Sequence, residues 1–227
     1  MRPTTCRRVS FAPRLQMPRQ NRVTPFSSIV ADPARGTLTG NRGCLHDGRQ
    51  IIRRQFHGTR WIICLLDFKG RRRNLMTPGH YTELFFLDEA TALAAGHRPC
   101  AECQRERFTL FRDLWAKANP ELAGTSRPAA TVMDAAIHQE RTTLIDHGNR
   151  SCLSIETMPD GVFVTDDDRT AYLILAGRLL RWSLGGYAVP TARLQYPVRV
   201  VTPASVVRTL AAGYSADIHR SASRLSF

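Results

Sequence analysis

Two cysteines separated by two residues, Cys100 and Cys103, are the side chains of this sequence best suited to chemistry. A Cys-x-x-Cys segment holds two thiols on one tight turn, which suits either a zinc ion or thiol–disulfide exchange. No apolar leader is visible, so we expect a reducing, cytoplasmic location. There such a pair indicates metal or redox chemistry rather than a structural disulfide. Metal binding is the favoured interpretation, and redox exchange is the alternative.

A tetrahedral zinc site needs two further ligands besides this pair. The residue types that could supply them occur upstream of the pair or directly beside it, at Cys44, Cys64, His46, His57, His80 and His97. Spacing alone does not choose among these six. Cys152 has no cysteine near it in the sequence, so we expect it to be structural.

The segment around the pair resembles a known family. An apolar run ends at Leu87, an Ala-rich stretch ends in Ala95-Gly96, and His97-Arg-Pro-Cys-Ala-Glu-Cys103 follows. This resembles the zinc-binding domain at the N-terminus of the Ada DNA-repair protein, over residues 56–105. The resemblance implies that Cys100 and Cys103 bind zinc and that Cys64 is a third ligand. Phe68 stands where that family has its remaining cysteine. His97 stands where the family has an aromatic residue, so we expect a packed ring there.

The set of ligands that we expect is therefore Cys44, Cys64, Cys100 and Cys103, with His80 as the alternative to Cys44 and His46 behind it. The resemblance also places Cys64 at the position that accepts a methyl group from DNA in the Ada protein. A zinc-bound thiolate stays deprotonated and nucleophilic at neutral pH. Because Phe68 replaces the partner thiol, we expect a mainly structural zinc site rather than alkyl transfer.

The charge of the chain indicates a polyanionic partner. The formal net charge is +13, and only Lys69 and Lys117 among 32 basic residues are lysines. A GC-rich genome also produces an excess of arginine, but it does not remove the charge. Arginines with interleaved aromatic residues suit contacts with nucleic-acid phosphates, and DNA is favoured over RNA here. The predicted contact residues are Arg53, Arg54, Arg60, Lys69, Arg71, Arg72 and Arg73.

Other functions remain open at this stage. A metal-dependent nuclease, an Ada-like alkyl acceptor and a protein-interaction module are alternatives to a nucleic-acid-binding protein. No Walker loop, dinucleotide-binding fingerprint or nucleophile elbow occurs. The sequence predicts no catalytic residue, and it does not address the oligomeric state.

The elements around the pair follow from capping signals. Asp88 can cap a helix over residues 89–95, and Gly96 can end it. A second helix is predicted for residues 104–118 and a third for about 131–145. Short β-rich runs are expected at 161–165, 171–175, 179–183 and 198–202. A helix that opens with Pro203 should continue to Leu210.

These elements predict an α+β protein: a small zinc-knuckle αβ module followed by a β-rich C-terminal domain with a short helix. The predicted divisions are a disordered basic arm at 1–35, the zinc-binding module at 36–123, a linker and helix at 124–150, and the β-rich domain at 151–227. No apolar run is long enough to span a membrane, so no membrane partner is expected.

One stretch of sequence echoes another. Both Leu93-Ala-Ala-Gly96 and Leu210-Ala-Ala-Gly213 follow a short predicted strand and helix, and both precede a ring residue. The second copy lacks cysteines. Chance use of a common turn and an old duplication are both compatible with this echo.

Overall fold

The computed structural model describes residues 17–71, 74–147, 155–189 and 198–225. These residues form two β-sheets and several helices, which confirms the α+β class at a coarse level. The predicted zinc-knuckle module stays a prediction. Among the described residues, no helix is long and apolar enough to cross a lipid bilayer.

The first sheet has six strands in the order β2-β1-β5-β3-β4-β6. Strand β3 is antiparallel to both of its neighbours, β5 and β4, whereas β1–β5 and β4–β6 are parallel pairs. The strands are β1 (Gln20–Val23), β2 (Ile29–Ala31), β3 (Leu38–Asn41), β4 (Ile62–Leu65), β5 (Leu84–Phe86) and β6 (Arg98–Pro99).

The prediction of a disordered arm over residues 1–35 was wrong for its second half. Residues 20–23 and 29–31 form the antiparallel pair β1–β2, which adds two strands to the first sheet. The physical reason is burial, because Val23 is 0% exposed and Ile29 is 4% exposed. Because arginine dominates this segment, its sequence did not indicate that these two apolar residues would be buried. Residues 1–16 lie outside the described part of the chain.

The second sheet has five strands in the order β10-β9-β8-β7-β11, all paired antiparallel. The strands are β7 (Phe163–Thr165), β8 (Tyr172–Leu175), β9 (Arg178–Ser183), β10 (Gly186–Ala188) and β11 (Arg199–Val200). Four of them fall within or next to the β-rich runs expected from the sequence. The fifth, β10, was not predicted.

The helices are α1 (Glu89–Ala94), α2 (Arg105–Ala118), α3 (Pro120–Ala123), α4 (Ala130–His147) and α5 (Ala204–Ala211), with a 3-10 turn at Ile155–Thr157. Every residue of α1 is buried. Leu93 packs in one apolar cluster with the first sheet, and Ala90 packs in another with the second sheet. The one charged residue of α1, Glu89, is buried with partners, because it accepts from the Tyr214 hydroxyl and the Asp217 N–H. Asp88 caps α1 as predicted, accepting from the Thr91 N–H at 2.9 Å.

One buried cluster extends across the predicted boundary at residue 150. It contains Ile63 and Phe86 of the first sheet, Trp115 of α2, and Val164 and Val200 of the second sheet. Helix α2 also packs against α5. The two predicted divisions therefore bury apolar surface in common.

Candidate metal centre

Three thiols converge at one end of strand β4. The Sγ atoms of Cys64, Cys100 and Cys103 all lie within 4.8 Å of one another, the one such group of His, Cys, Asp and Glu side chains among the described residues. Cys64 belongs to β4, Cys100 follows β6 directly, and Cys103 precedes α2. A pair close in sequence and a residue about forty positions upstream thus form one cluster.

Strand pairing explains why Cys64 meets the other two thiols. Strands β4 and β6 are parallel, and Ile63 is in register with Pro99. The Cys100 N–H donates to the Ile63 carbonyl at 2.9 Å, and the side-chain amide of Gln104 donates to the same oxygen at 2.8 Å. Cys64 follows Ile63 and Cys100 follows Pro99, so the two cysteines are held side by side.

Backbone amides point at the sulfur atoms. The Glu102 N–H donates to Cys100 Sγ at 3.4 Å. The Cys64 thiol is the main cause that lowers the pKa of Cys100, and the N–H groups of Cys103 and Glu102 lower it further. Burial raises the pKa of Cys103, and the Leu65 N–H opposes this rise. Such bonds favour the charged thiolate over the neutral thiol, and the thiolate is the form that binds metal.

Hydrogen bonds among the three thiols, together with burial, shift the pKa of each. The Cys64 thiol donates to Cys100 and lowers the pKa of Cys100 to about 5. The same hydrogen bond, with burial second, raises the pKa of Cys64. Burial raises the pKa of Cys103. Of the three thiols, Cys100 is therefore the one whose thiolate is most favoured. A bound cation would let all three sulfur atoms ionise.

The donor set fits zinc. A tetrahedral ion with Zn–S bonds of about 2.3 Å separates its sulfur ligands by roughly 3.8 Å. The limit of 4.8 Å within the cluster is near that value, so small side-chain rotations suffice. Three thiolates also select soft or borderline ions such as Zn²⁺ over Mg²⁺ or Ca²⁺.

The predicted fourth ligand does not join the cluster. Cys44 Sγ instead lies 3.8 Å from the His46 carbonyl oxygen. Strand β3 runs antiparallel to β4 with Thr39 opposite Cys64, so the chain beyond Asn41 leads away from the cluster. The prediction of Cys44 as a ligand is corrected accordingly.

The two histidine alternatives are also elsewhere. The His46 ring contacts the Thr82 hydroxyl at 2.6 Å and the Thr77 carbonyl at 3.2 Å. The exposed His80 ring contacts the Pro78 carbonyl at 3.2 Å. Both histidines bond locally, and neither belongs to the thiol group.

A cleft of about 440 Å³ opens beside the cluster, and all three cysteines line it. Its floor is the face of the first sheet that carries Thr39, Cys64 and Phe85, which are in register across β4, β3 and β5. The other face, with Ile63 and Phe86, is in the apolar core. The cluster therefore lies between a packed interior and an accessible space.

The predicted contact residues surround this cleft unevenly. Arg60 and Arg71 line it, and Lys69 lies over the Phe68 ring with its Nζ 5.1 Å from the centroid. Arg71 also lies over Phe68, and it pairs with Glu102 at 2.5 Å. The hydrogen bond and the charge of Glu102 raise the pKa of Arg71, and the nearby sulfur atoms of Cys103 and Cys100 contribute less to the same rise.

The other predicted contacts lie farther along the loop before β4. Arg53 pairs with Asp47 at 2.7 Å, and Arg54 is exposed. Arg72 and Arg73 are not among the described residues. Phe68, which stands where the resembled family has the second cysteine of its upstream pair, lines the cleft, and the cations of Lys69 and Arg71 lie over its ring.

His97 and Arg42 are buried rather than functional at the surface. His97 is 0% exposed and packs edge-on against Phe86, with ring centroids 4.6 Å apart, as expected for a packed ring. Arg42 is 1% exposed, lies over Trp61, and donates to the His97 ring at 3.2 Å. Burial lowers the pKa of Arg42 to about 9 and moves the pKa of His97 well below its usual value.

Sequence reasoning did not identify most of the cleft. Thr39, Leu66, Leu75, Tyr81, Glu83 and Phe85 line it without forming any motif. The alternation of β3 and β5 could have indicated which residues share a sheet face, but only once their pairing was known. The chain matches no protein-family model, no curated protein and no solved structure.

Proposed function

We propose that this protein binds one zinc ion through Cys64, Cys100 and Cys103 and contacts nucleic acid with the basic residues beside that centre. The observation that carries the proposal is the convergence of three thiols within 4.8 Å, next to a cleft lined by Arg60 and Arg71. Zinc would supply charge neutralisation and a cross-link between β4 and the start of α2. The pairing of β4 with β6 and the N–H···S bonds hold the sulfur atoms of Cys64, Cys100 and Cys103 in place.

Metal analysis tests the first half of this proposal. We expect one zinc per chain in the purified protein and its loss in the Cys64→Ser and Cys100→Ser variants. Cys44→Ser is the matched control and should keep the metal, since its thiol lies outside the cluster. A wild-type chain that is folded by circular dichroism but takes up no zinc would contradict the proposal.

Salt-dependent binding tests the second half. Affinity for a DNA duplex should fall steeply with salt, because phosphate contacts release counterions. Replacing Arg54 or Arg60 by Gln should lower the slope of log K against log salt by about 1 for each phosphate contact that the substitution removes. Arg181→Gln, at an exposed position of β9, is the control. Parallel titrations with single-stranded DNA and RNA determine which nucleic acid is preferred.

The alternatives predict other results in the same assays. A nuclease would cleave DNA or RNA only with metal added. A protein-interaction module would bind no nucleic acid at any salt concentration and would form a stable complex with another protein. An alkyl acceptor would gain mass at Cys64 after incubation with methylated DNA.

A further inference from the structure

The metal centre is incomplete as a four-ligand site. Among the described residues, no fourth His, Cys, Asp or Glu lies with the three thiols. Structural zinc sites are closed by four protein ligands, whereas sites that bind a substrate keep one position open. All three cysteines line the cleft, so any open position faces that space.

The walls of the cleft offer few free polar groups. Its apolar lining comes from Ile62, Leu65, Leu66, Phe68, Leu75 and Phe85. Several polar residues that line it already bond within the protein. Glu83 accepts from the Met76 N–H at 2.7 Å, Thr39 donates to the Leu84 carbonyl at 2.9 Å, and Arg71 pairs with Glu102.

Arg60 is the exception among the cations that line the cleft. It is exposed and forms no hydrogen bond or ion pair with any other described residue, and its charge acts only at longer range on the Asp134 carboxylate. Ile62 and Cys64 of β4 line the cleft, and so does Arg60, two residues before the strand begins. Four residues of extended chain span at most about 14 Å. An extended ligand can thus have one end at the thiols and the other within reach of Arg60.

The electronic character of the site selects the donor atom. Three thiolates outweigh the charge of a Zn²⁺ ion, so the centre is a weaker Lewis acid than the histidine-rich sites that activate water. A soft sulfur donor suits it better than water does. The apolar side chains of the walls offer no hydrogen bond to a hydroxide.

We propose that the cleft binds a low-molecular-weight thiol that carries an anionic group, with its sulfur beside Cys64, Cys100 and Cys103 and its anionic group toward Arg60. The sulfur would provide the fourth donor to the metal. This inference rests on the proposed zinc site. A cleft of about 440 Å³ accommodates a small molecule, whereas a folded partner would have to insert a single side chain.

The test uses the full chain with Cys6, Cys44 and Cys152 replaced by Ser, so that only the three clustered thiols remain of the six cysteines. The chain is loaded with Co²⁺, whose visible spectrum reports the number of sulfur ligands. The probes are 3-mercaptopropionate, its hydroxyl analogue 3-hydroxypropionate, and uncharged 2-mercaptoethanol. We expect 3-mercaptopropionate to convert a three-sulfur spectrum into a four-sulfur spectrum and the hydroxyl analogue to leave it unchanged.

Arg60→Gln should weaken 3-mercaptopropionate binding roughly tenfold, as expected when a charge-assisted hydrogen bond is removed, and leave 2-mercaptoethanol unaffected. Arg54→Gln is the matched control, since Arg54 does not line the cleft. A Co²⁺ spectrum that no thiol changes would overturn this inference and leave the zinc site standing. Failure to bind Co²⁺ at all would overturn both. If the Arg60→Gln variant bound 3-mercaptopropionate as tightly as the wild type does, the role of Arg60 would be overturned.

Discussion

The two Leu-Ala-Ala-Gly turns have the same local structure and lead to different ends. Both glycines have a left-handed backbone, with φ of 88° at Gly96 and 106° at Gly213. The same hydrogen bonds close both turns: Gly96 N to Leu93 O and His97 N to Ala92 O in the first, Gly213 N to Leu210 O and Tyr214 N to Thr209 O in the second. Both ring residues that come next are buried.

The two segments diverge directly after their ring residues. Beyond His97 the chain forms β6 beside β4 and delivers two thiols to the cluster. Beyond Tyr214 it closes over α1, where the Asp217 and His219 N–H groups donate to the buried carboxylates of Glu89 and Asp88. The conformation of the turn therefore follows from its local sequence, whereas its role depends on which element the residues after it contact.

The largest effect should come from the ion pair that anchors the first turn. Arg98 and Asp134 are paired at 2.8 Å, and their side chains are 4% and 3% exposed. Asp134→Ala leaves a buried guanidinium without its carboxylate and should cost about 3–5 kcal/mol of unfolding free energy. The corresponding residue of the second turn, Ser215, is exposed, so Ser215→Ala should change stability by less than about 0.5 kcal/mol. Urea unfolding measures both, and equal effects would remove the distinction.

Alanine at the two glycines should separate crowding from backbone strain. A Cβ on Gly96 would lie 2.9 Å from Arg141 Cγ and 3.4 Å from Trp61 Cε3, whereas a Cβ on Gly213 meets nothing within 4 Å. Gly213→Ala should therefore cost only the strain of a left-handed residue, about 1 kcal/mol. Gly96→Ala should cost roughly 2–3 kcal/mol because overpacking is added. Thermal unfolding of the two variants side by side checks the order.

The ring residues should differ in how stability depends on pH. Burial and the neighbouring Arg42 hold the pKa of folded His97 well below its unfolded value of about 6.5. Below that pH the unfolded chain binds more protons, so the stability that His97 contributes is full above it and is lost as the pH falls. The loss is about 1.4 kcal/mol per pH unit for one proton.

Unfolding at pH 7.5, 6.0 and 5.0 tests this difference. The deficit of a His97→Phe variant relative to wild type should shrink toward acid pH. The pKa of His138 is also lowered by its burial, so some acid sensitivity remains in the variant. A deficit that stays constant with pH would show that His97 is not held neutral.

The smallest effect is expected at the second ring. The Tyr214 hydroxyl donates to Glu89 at 2.6 Å. Burial, and to a lesser extent the charge of Glu89, raises the pKa of Tyr214 above its usual value of about 10. Arg107 and the Asp217 N–H also bond to Glu89, so this carboxylate keeps partners in a Tyr214→Phe variant. The cost should be about 1 kcal/mol and should be constant from pH 5 to 8. Dependence on pH in this range would contradict the contrast with His97.

Capping and periodicity in the sequence predicted most local elements. Helix α1, its Asp88 cap and its Gly96 end were predicted to within one residue, because side-chain capping and a left-handed turn are properties of the nearest neighbours. Strands β1 and β2 were missed. Their apolar residues Val23 and Ile29 are buried in the core cluster, and β1 joins the sheet through a parallel pairing with the distant β5, which no local pattern indicates.

The sequence by itself determined the pair of thiols that could hold a metal ion, since a Cys-x-x-Cys turn holds Cys100 and Cys103 together whatever surrounds it. Only the tertiary structure selected Cys64 over Cys44, because a parallel register of β4 with β6 brings one thiol in and an antiparallel register of β3 with β4 leads the other away. The cleft is likewise a product of sheet pairing, which no local pattern encodes. Short-range chemistry therefore supplied the ligand types, and long-range strand register decided which of them meet.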